Sequence, residues 1–160
     1  MIRHANPTDR PAIAEVVAAA FGRPDEAEIV ARLRADEDAM FELVAEADGE
    51  IAGHIMFSRL WADREGLYAA LAPLAVRPDR QRTGLGSKLV RAGLEIAPEF
   101  GAVGVLVLGD PAYYPRFGFS AEAAAKVAAP FRGLAGFMGL PIEAGAFDAP
   151  LTVAYPAALA

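Results

Sequence analysis

The spacing of apolar residues changes period along the chain, and each change marks an element. Ile2-Arg3-His4-Ala5 predicts a short strand. Ile13, Val16, Val17, Ala20 and Phe21 then recur at helical spacing, with Thr8 or Asp9 placed to cap that helix and Gly22 placed to end it. Pro24 suits the first turn of a second helix, and Asp25, Glu26 and Glu28 lie near its positive end. Phe41–Ala47 and Ile51–Trp61 flank Asp48-Gly49, a strong hairpin signal. Leu67–Val76 predicts a third long strand. Gly84–Ala97 is helical, with Leu85, Leu89, Val90 and Leu94 on one side, and Pro98 marks its end. Ala102–Leu108 reads AVGVLVL, a continuous apolar run expected of a strand covered on both faces. Pro111–Phe117 predicts a short helix or turn, and Phe137–Glu143 and Leu151–Tyr155 two closing strands. This order predicts a mixed sheet with helices on both faces, an α/β chain folded as one domain over residues 1–160.

Composition narrows the chemistry. The chain has 160 residues, 54% of them hydrophobic and 22% charged, enough to bury a sizeable core. With no cysteine there is no disulfide, thiolate metal site or cysteine nucleophile. Only His4 and His54 could supply imidazole, so no metal site is expected. The N-terminus lacks an apolar signal segment and no long apolar run is present, so neither export nor a membrane span is expected and the expected location is the cytoplasm. A net charge of −6 argues against a nucleic-acid partner.

That charge is uneven. Residues 77–91, RPDRQRTGLGSKLVR, carry Arg77, Arg80, Arg82, Lys88 and Arg91 against Asp79, a net +4 on a chain of −6. A cationic island on an acidic chain is either an anion site or a solvated basic turn and helix face. It lies where a strand ends near Val76 and a helix starts near Gly84, a junction that presents free N–H groups and the positive end of a helix dipole. Gly84 and Gly86 lack Cβ, so a phosphate can approach the backbone there. A P-loop is excluded, because Gln81 holds its upstream glycine position and the order Gly86-Ser87-Lys88 is wrong. A dinucleotide fingerprint is excluded by Leu89 at its third glycine.

Gln81-Arg82-Thr83-Gly84-Leu85-Gly86 resembles the Q/R-x-x-G-x-G/A pyrophosphate loop of the GCN5-related N-acetyltransferase (GNAT) superfamily, and Tyr114 to Phe119 resembles its Y-x-x-x-G-F segment. The element order matches over nearly the whole chain. GHIMFS (53–58), LAPLAV (71–76) and GDPAYYPRFGF (109–119) together resemble the YhbS-type subgroup of bacterial acetyltransferases. The resemblance implies a GNAT fold: a twisted, largely antiparallel sheet of about seven strands with one splayed parallel pair. It implies acetyl-CoA as co-substrate, lying where Leu67–Val76 and Ala102–Leu108 diverge. Pro73 inside the first of these fits a bulge in a splayed strand or a plain edge strand.

By the same resemblance, Leu74, Ala75 and Val76 would hold the pantetheine arm, and one of their N–H groups would polarise the thioester carbonyl. Backbone amides from Arg82 to Ser87 (Arg82, Thr83, Gly84, Leu85, Gly86, Ser87), with Gln81 before them, would hold the pyrophosphate. Arg77, Arg80 and Lys88 are candidates for the outer phosphate. Tyr114, four residues before Gly118, takes the place of the tyrosine that protonates the leaving thiolate; the alternative is a packed aromatic, and Tyr113 is its neighbour and competitor. An ordinary tyrosine near pKa ~10 facing a thiolate near ~8.5 is mismatched by roughly 2 kcal/mol.

The chain departs from the family's usual asparagine and alanine, which are replaced by Val107 and Asp110. No carboxylate lies in LAPLAV, so the general base is open among Asp63, Glu65, Asp110, His54 and a water relay. The implied function is acetyl transfer to a primary amine by direct attack in a ternary complex; the alternative is a non-catalytic acyl-CoA-binding sensor. Residues 25–50 carry ten acidic side chains and two arginines, which either attract a cationic amine or form a solvated face. Family members often pair through the C-terminal strands, which implies a homodimer.

Overall fold

The computed structural model describes residues 1–160. Strand β1 (Ile2–His4) leads into a 3-10 turn at Pro7–Asp9 and helix α1 (Arg10–Phe21). Asn6 caps that turn, with its side chain accepting from the Thr8 N–H, and Asp9 holds the N-cap position of α1 but makes no side-chain cap hydrogen bond there. Asp9 instead accepts from the Asn6 N–H and from Arg3, closing a capping box that ties α1 to β1. Gly22, at φ 71, ends α1 by donating to the Ala18 carbonyl. Helix α2 (Asp25–Ala35) has Asp25, Glu26 and Glu28 in its first turn and Arg32 and Arg34 in its last, each complementing the dipole.

The hairpin of β2 (Ala39–Ala47) and β3 (Glu50–Ala62) turns at Asp48 and Gly49 with φ of 54° and 77°, the left-handed pair that hairpin twist requires. Strand β4 (Leu67–Val76), helix α3 (Leu85–Ile96) and strand β5 (Ala102–Leu108) follow as the periodicity predicts. The sheet order is β1-β2-β3-β4-β5-β7, where β7 is Phe137–Pro141, and only β4 and β5 in that path run parallel.

Parallel pairing of β4 and β5 runs only from Leu67↔Ala102 to Ala70↔Leu106. Beyond it, β4 pairs with β3 alone, through Leu74↔Ile55, Ala75↔His54 and Val76↔Gly53, while β5 stays with β7 through Leu108↔Phe137. Between Leu71 and Leu74, β4 carries one more residue than β3, and Pro73 sits in that bulge after a cis peptide bond. The splayed-strand expectation for Pro73 therefore holds over the plain edge.

The tail differs from expectation. An eighth strand, β6 (Val127–Ala128), is present, in an alanine-rich stretch that has no alternation to reveal it. Strand β8 (Leu151–Ala154) does not pair with β7; it crosses to β6 and to the far end of β3, at Trp61↔Ala154. Its Leu151 and Val153 cover Leu60, Tyr68 and Leu106 in a separate apolar cluster, and burial of those side chains is what draws the strand away.

Helix α3 packs one face of the sheet and α1 with α2 pack the other. Gly93 lets α3 seat directly on Phe57, since a Cβ there would stand 2.3 Å from the ring. Gly93→Ala should therefore cost about 1–3 kcal/mol by overpacking, read as a lower urea midpoint with unchanged slope. An unchanged midpoint would show that α3 can shift freely on the sheet.

Candidate functional site

The strand divergence opens a cleft of about 540 Å³ against the start of α3. Leu74 and Val76 form the β4 wall, residues of the 80–87 loop form the floor, and Tyr113 and Arg116 close the far side. The loop is held by its own polar groups. Gln81 Nε2 donates to the Val76 carbonyl at 3.0 Å, tying loop to strand end, and the Thr83 hydroxyl donates to the Arg80 carbonyl at 2.6 Å. Arg82 and Gly84 both take left-handed φ, 64° and 87°. For arginine that conformation is costly, of order 1 kcal/mol, and the loop fixes it next to the helix start. No side chain caps α3, and the space beside Gly84 is open to 4 Å. The first N–H groups of α3 and the positive end of its dipole thus face the cleft.

Of the residues named from sequence, Leu74, Val76, Gln81, Arg82, Gly84, Gly86 and Ser87 line this cleft. Ala75, Thr83, Leu85 and Tyr114 do not: Ala75 faces the opposite side of the sheet, against α1 and α2, and Leu85 packs on the α3 core. The cations are rearranged relative to expectation. Arg77 binds Asp79 and Glu50, which raise its pKa, and it lines a different crevice beside α1. Arg80 lines the cleft but is paired with Asp48. Lys88 lies outside it. Arg82 and Arg116 remain as the lining cations without a carboxylate partner. Arg116 was not singled out from sequence. Its guanidinium lies 4.5 Å from the Tyr113 ring centroid, and its Nε donates to the Tyr113 carbonyl at 2.8 Å.

The two tyrosines have different surroundings. The Tyr113 hydroxyl is 3.0 Å from Ser87 Oγ, at the helix start. Tyr114 is 8% exposed, packed edge-on to Tyr113 and Phe119, with its ring against Gly109 so closely that a Cβ there would stand 2.4 Å away. Burial, with smaller contributions from Tyr113 and Asp110, pushes the Tyr114 hydroxyl up to about 12, so it stays protonated at neutral pH.

The candidate bases also sort by contact. The Asp110 carboxylate accepts from the Ala112 N–H at 2.8 Å and its carbonyl from the N–H of Tyr113 and Tyr114, so it builds the turn that presents both rings. Asp63 accepts from the Thr152 N–H and anchors β8. Glu65 lines a crevice near the N-terminal end of β4. His54 is fully buried, with Nε2 2.9 Å from Glu42 Oε1, and Glu42 in turn accepts two hydrogen bonds from Arg34 at 2.7 and 2.8 Å.

A sheet opened along its parallel pair, with a glycine-bent and uncapped helix start at the opening, defines an α/β protein of the N-acetyltransferase type. The acetyltransferase (GNAT) family model matches residues 10–119, and the chain belongs to that family. It is 43% identical over 117 residues to the uncharacterized N-acetyltransferase YjhQ of Escherichia coli K12, covering 70% of this chain and 65% of that one, just under two thirds of the relative's length. It is 39% identical over 125 residues to the uncharacterized N-acetyltransferase YhbS of the same strain, covering 77% of this chain and 75% of that one. The crystal structure of E. coli YhbS in complex with CoA superposes with a TM-score of 0.91 at 32% identity, over 99% of this chain and 91% of that one. A GNAT family acetyltransferase from Brucella melitensis in complex with acetyl-CoA superposes with a TM-score of 0.83 at 37% identity, over 100% and 97%.

Glu42 carries a pH-dependent share of the stability. Burial alone would raise its carboxyl, but the hydrogen bonds from Arg34 and His54 reverse this and hold it at about 2, below its ordinary 4.5. A depressed carboxyl stabilises the fold above its unfolded value and loses that contribution as pH falls through the folded one. Glu42→Gln should thus be less stable by about 1–2 kcal/mol at neutral pH, allowing for partial exposure. Chemical denaturation should show the gap closing as pH falls from 4.5 towards about 2; a constant gap would place the stabilisation in shape alone.

Proposed function

We propose that this chain transfers an acetyl group from acetyl-CoA to a primary amine by direct attack within a ternary complex. The observation that carries the proposal is the end of parallel pairing at Ala70↔Leu106 beside the uncapped start of α3. An extended amide-bearing arm can lie between the diverging strands and bond the unpaired edge of β4, while a diphosphate meets the helix amides. The residues fit such a ligand. Gly84 leaves open space, and at Gly86 a Cβ would sit in ordinary contact with the Tyr113 hydroxyl at 3.4 Å and Val76 at 3.5 Å, so a larger side chain would reach into the cleft. Arg82 and Arg116 supply the cations for the phosphates. The complexes of YhbS with CoA and of the Brucella acetyltransferase with acetyl-CoA support the same reading.

Leu74, Ala75 and Val76 are assigned to the arm, with Ala75 acting through its backbone alone. Gln81, Arg82, Thr83, Gly84, Leu85, Gly86 and Ser87 are assigned to the pyrophosphate. Much of the rate then comes from holding amine and thioester together. Tyr114 is the candidate that meets the leaving sulfur by its place in the family's Y-x-x-x-G-F segment, and Tyr113, which lines the cleft with its hydroxyl 3.0 Å from Ser87 Oγ, is its competitor. With its hydroxyl pushed up to about 12, full transfer to a thiolate near ~8.5 is uphill by roughly 5 kcal/mol. Tyr114 therefore stabilises the developing thiolate as a hydrogen-bond donor, and solvent supplies the final proton.

Two measurements test this. Gly86→Glu places bulk and negative charge at the helix start and should abolish CoA binding by calorimetry; unchanged affinity in a folded variant would refute the loop assignment. Tyr114→Phe should leave acetyl-CoA affinity unchanged and lower turnover by roughly 10²–10³-fold, the loss typical of one donor to a developing anion. Turnover is read as thiol release over a panel of amines. Tight CoA binding with no turnover by the unmodified protein would favour an acyl-CoA sensor instead.

A further inference from the structure

Two large apolar side chains stand exposed at the point where the sheet opens. Leu108, the last residue of β5, is 48% exposed, and Leu134 is 53% exposed. They are brought together through the backbone. Leu108 pairs with Phe137 of β7, the Phe137 N–H donates to the Leu134 carbonyl at 3.0 Å, and the Gly109 N–H donates to the Gly136 carbonyl at 2.9 Å. The turn that carries Leu134 is thus fastened to the end of β5. The last residue of β5 to pair with β4 is Leu106, so Leu108 lies about 6–7 Å past the end of the parallel ladder.

The alternation along β5 says which side of the sheet they serve. Val105 and Val107 pack in the cluster that holds Leu89 and Val90 of α3, whereas Leu106 packs in the cluster of Tyr68, Leu151 and Val153 on the other face. Leu108 shares the parity of Leu106 and so points away from α3. The cleft assigned to acetyl-CoA lies on the α3 side, and neither leucine lines it. Past Ala70↔Leu106 no ladder bond joins β4 to β5, so an acyl group held between the parted strands is open to a nucleophile from the face that the arm does not fill. The charges that flank the two leucines in the chain, Asp110 and Arg132, balance, and the Asp110 carboxylate already accepts from the Ala112 N–H. Two leucine side chains fall far short of the ~800 Å² that each partner of a stable dimer buries, but they match a short alkyl chain.

We infer that Leu108 and Leu134 select the acceptor, and that the acceptor is a monoamine with an apolar body such as an alkyl chain. The inference rests on the acetyltransferase reading and names the substrate class of that site. The amine nitrogen meets the acetyl carbon between the strands, and the chain behind it lies on the two leucines, where contact removes apolar surface of both partners from water. A second ammonium group would be desolvated against that surface without a partner, so polyamines are poor acceptors. Discrimination by apolar contact is modest, and each leucine is worth roughly 10-fold in kcat/KM. The effect falls on KM, because the contact is the same in the ground and transition states.

The test measures thiol release with hexylamine, ethylamine and spermidine, for the unmodified protein and for Leu108→Ser and Leu134→Ser, with acetyl-CoA affinity read by calorimetry. The unmodified protein should use hexylamine roughly 100-fold better in kcat/KM than ethylamine or spermidine. Each substitution should shrink the hexylamine-to-ethylamine ratio by roughly 10-fold through a higher KM for hexylamine, with acetyl-CoA affinity unchanged. The amine panel on the unmodified protein carries the test if a substitution fails to fold. Equal use of hexylamine and ethylamine, a preference for spermidine, or a ratio that survives both substitutions would overturn the inference while leaving the acetyltransferase reading intact. So would light scattering that shows a dimer of the unmodified protein falling to a monomer in either variant, since a second copy would then cover the leucines. Acetyl-CoA binding without thiol release with any amine would overturn both, and that failure is seen before any variant is made.

Discussion

The site depends on a hydrogen-bond ladder that stops. Four residues of β4 pair with β5, and past Ala70↔Leu106 the two strands part, each held only by its outer neighbour. A strand edge without a partner is normally a liability, because every unpaired buried N–H or C=O costs about 1–3 kcal/mol. Here the edge lies in a cleft whose floor is the start of α3. The bulge at Pro73 is what separates the strands locally, since proline can donate no ladder bond and the extra residue turns β4 away from β5. What weakens the sheet is what makes room for a ligand arm.

Keeping the cleft open requires that its surroundings be rigid. Fully buried Leu89 and Val90 of α3, each worth about 1.5–3 kcal/mol, fasten the helix to the sheet. Gly93 brings it onto Phe57 without a spacer. On the other edge, the Gly109 N–H donates to the Gly136 carbonyl, and the close approach there leaves no space for a Cβ at Gly136. That contact sets the end of β5 and the turn at Asp110, which in turn aims Tyr113 into the cleft and seats the Tyr114 ring against Gly109. The glycines that matter are thus those at contacts, and the phosphate loop is only the most visible of them.

Electrostatics divide by face. On the cleft side, Asp48 pairs with Arg80, so the positive field there narrows to Arg82, Arg116 and the helix amides, while Arg77, bound by Asp79 and Glu50, lies towards α1. On the α1 and α2 side, a single buried histidine is tied to a carboxylate held by arginine.

The local sequence determined what depends on near neighbours. The apolar period fixes the helices, Asp48-Gly49 fixes the hairpin, the run AVGVLVL fixes a strand buried on both faces, and the glycines of 81–86 with the Y-x-x-x-G-F segment point to the cleft and to its family. Each of these is a property of backbone conformation or of side-chain order within a few residues. The tertiary structure decided the rest, because it turns on partners distant in the chain. Strand β8 leaves β7 for β3 to cover Tyr68 and Leu106; Arg77 and Arg80 are claimed by Glu50 and Asp48 across the hairpin; Arg116 reaches the cleft by folding back on Tyr113. The pairing of His54 with Glu42, and the burial that leaves its other nitrogen without a partner, exist only once β2, β3 and α2 are packed together.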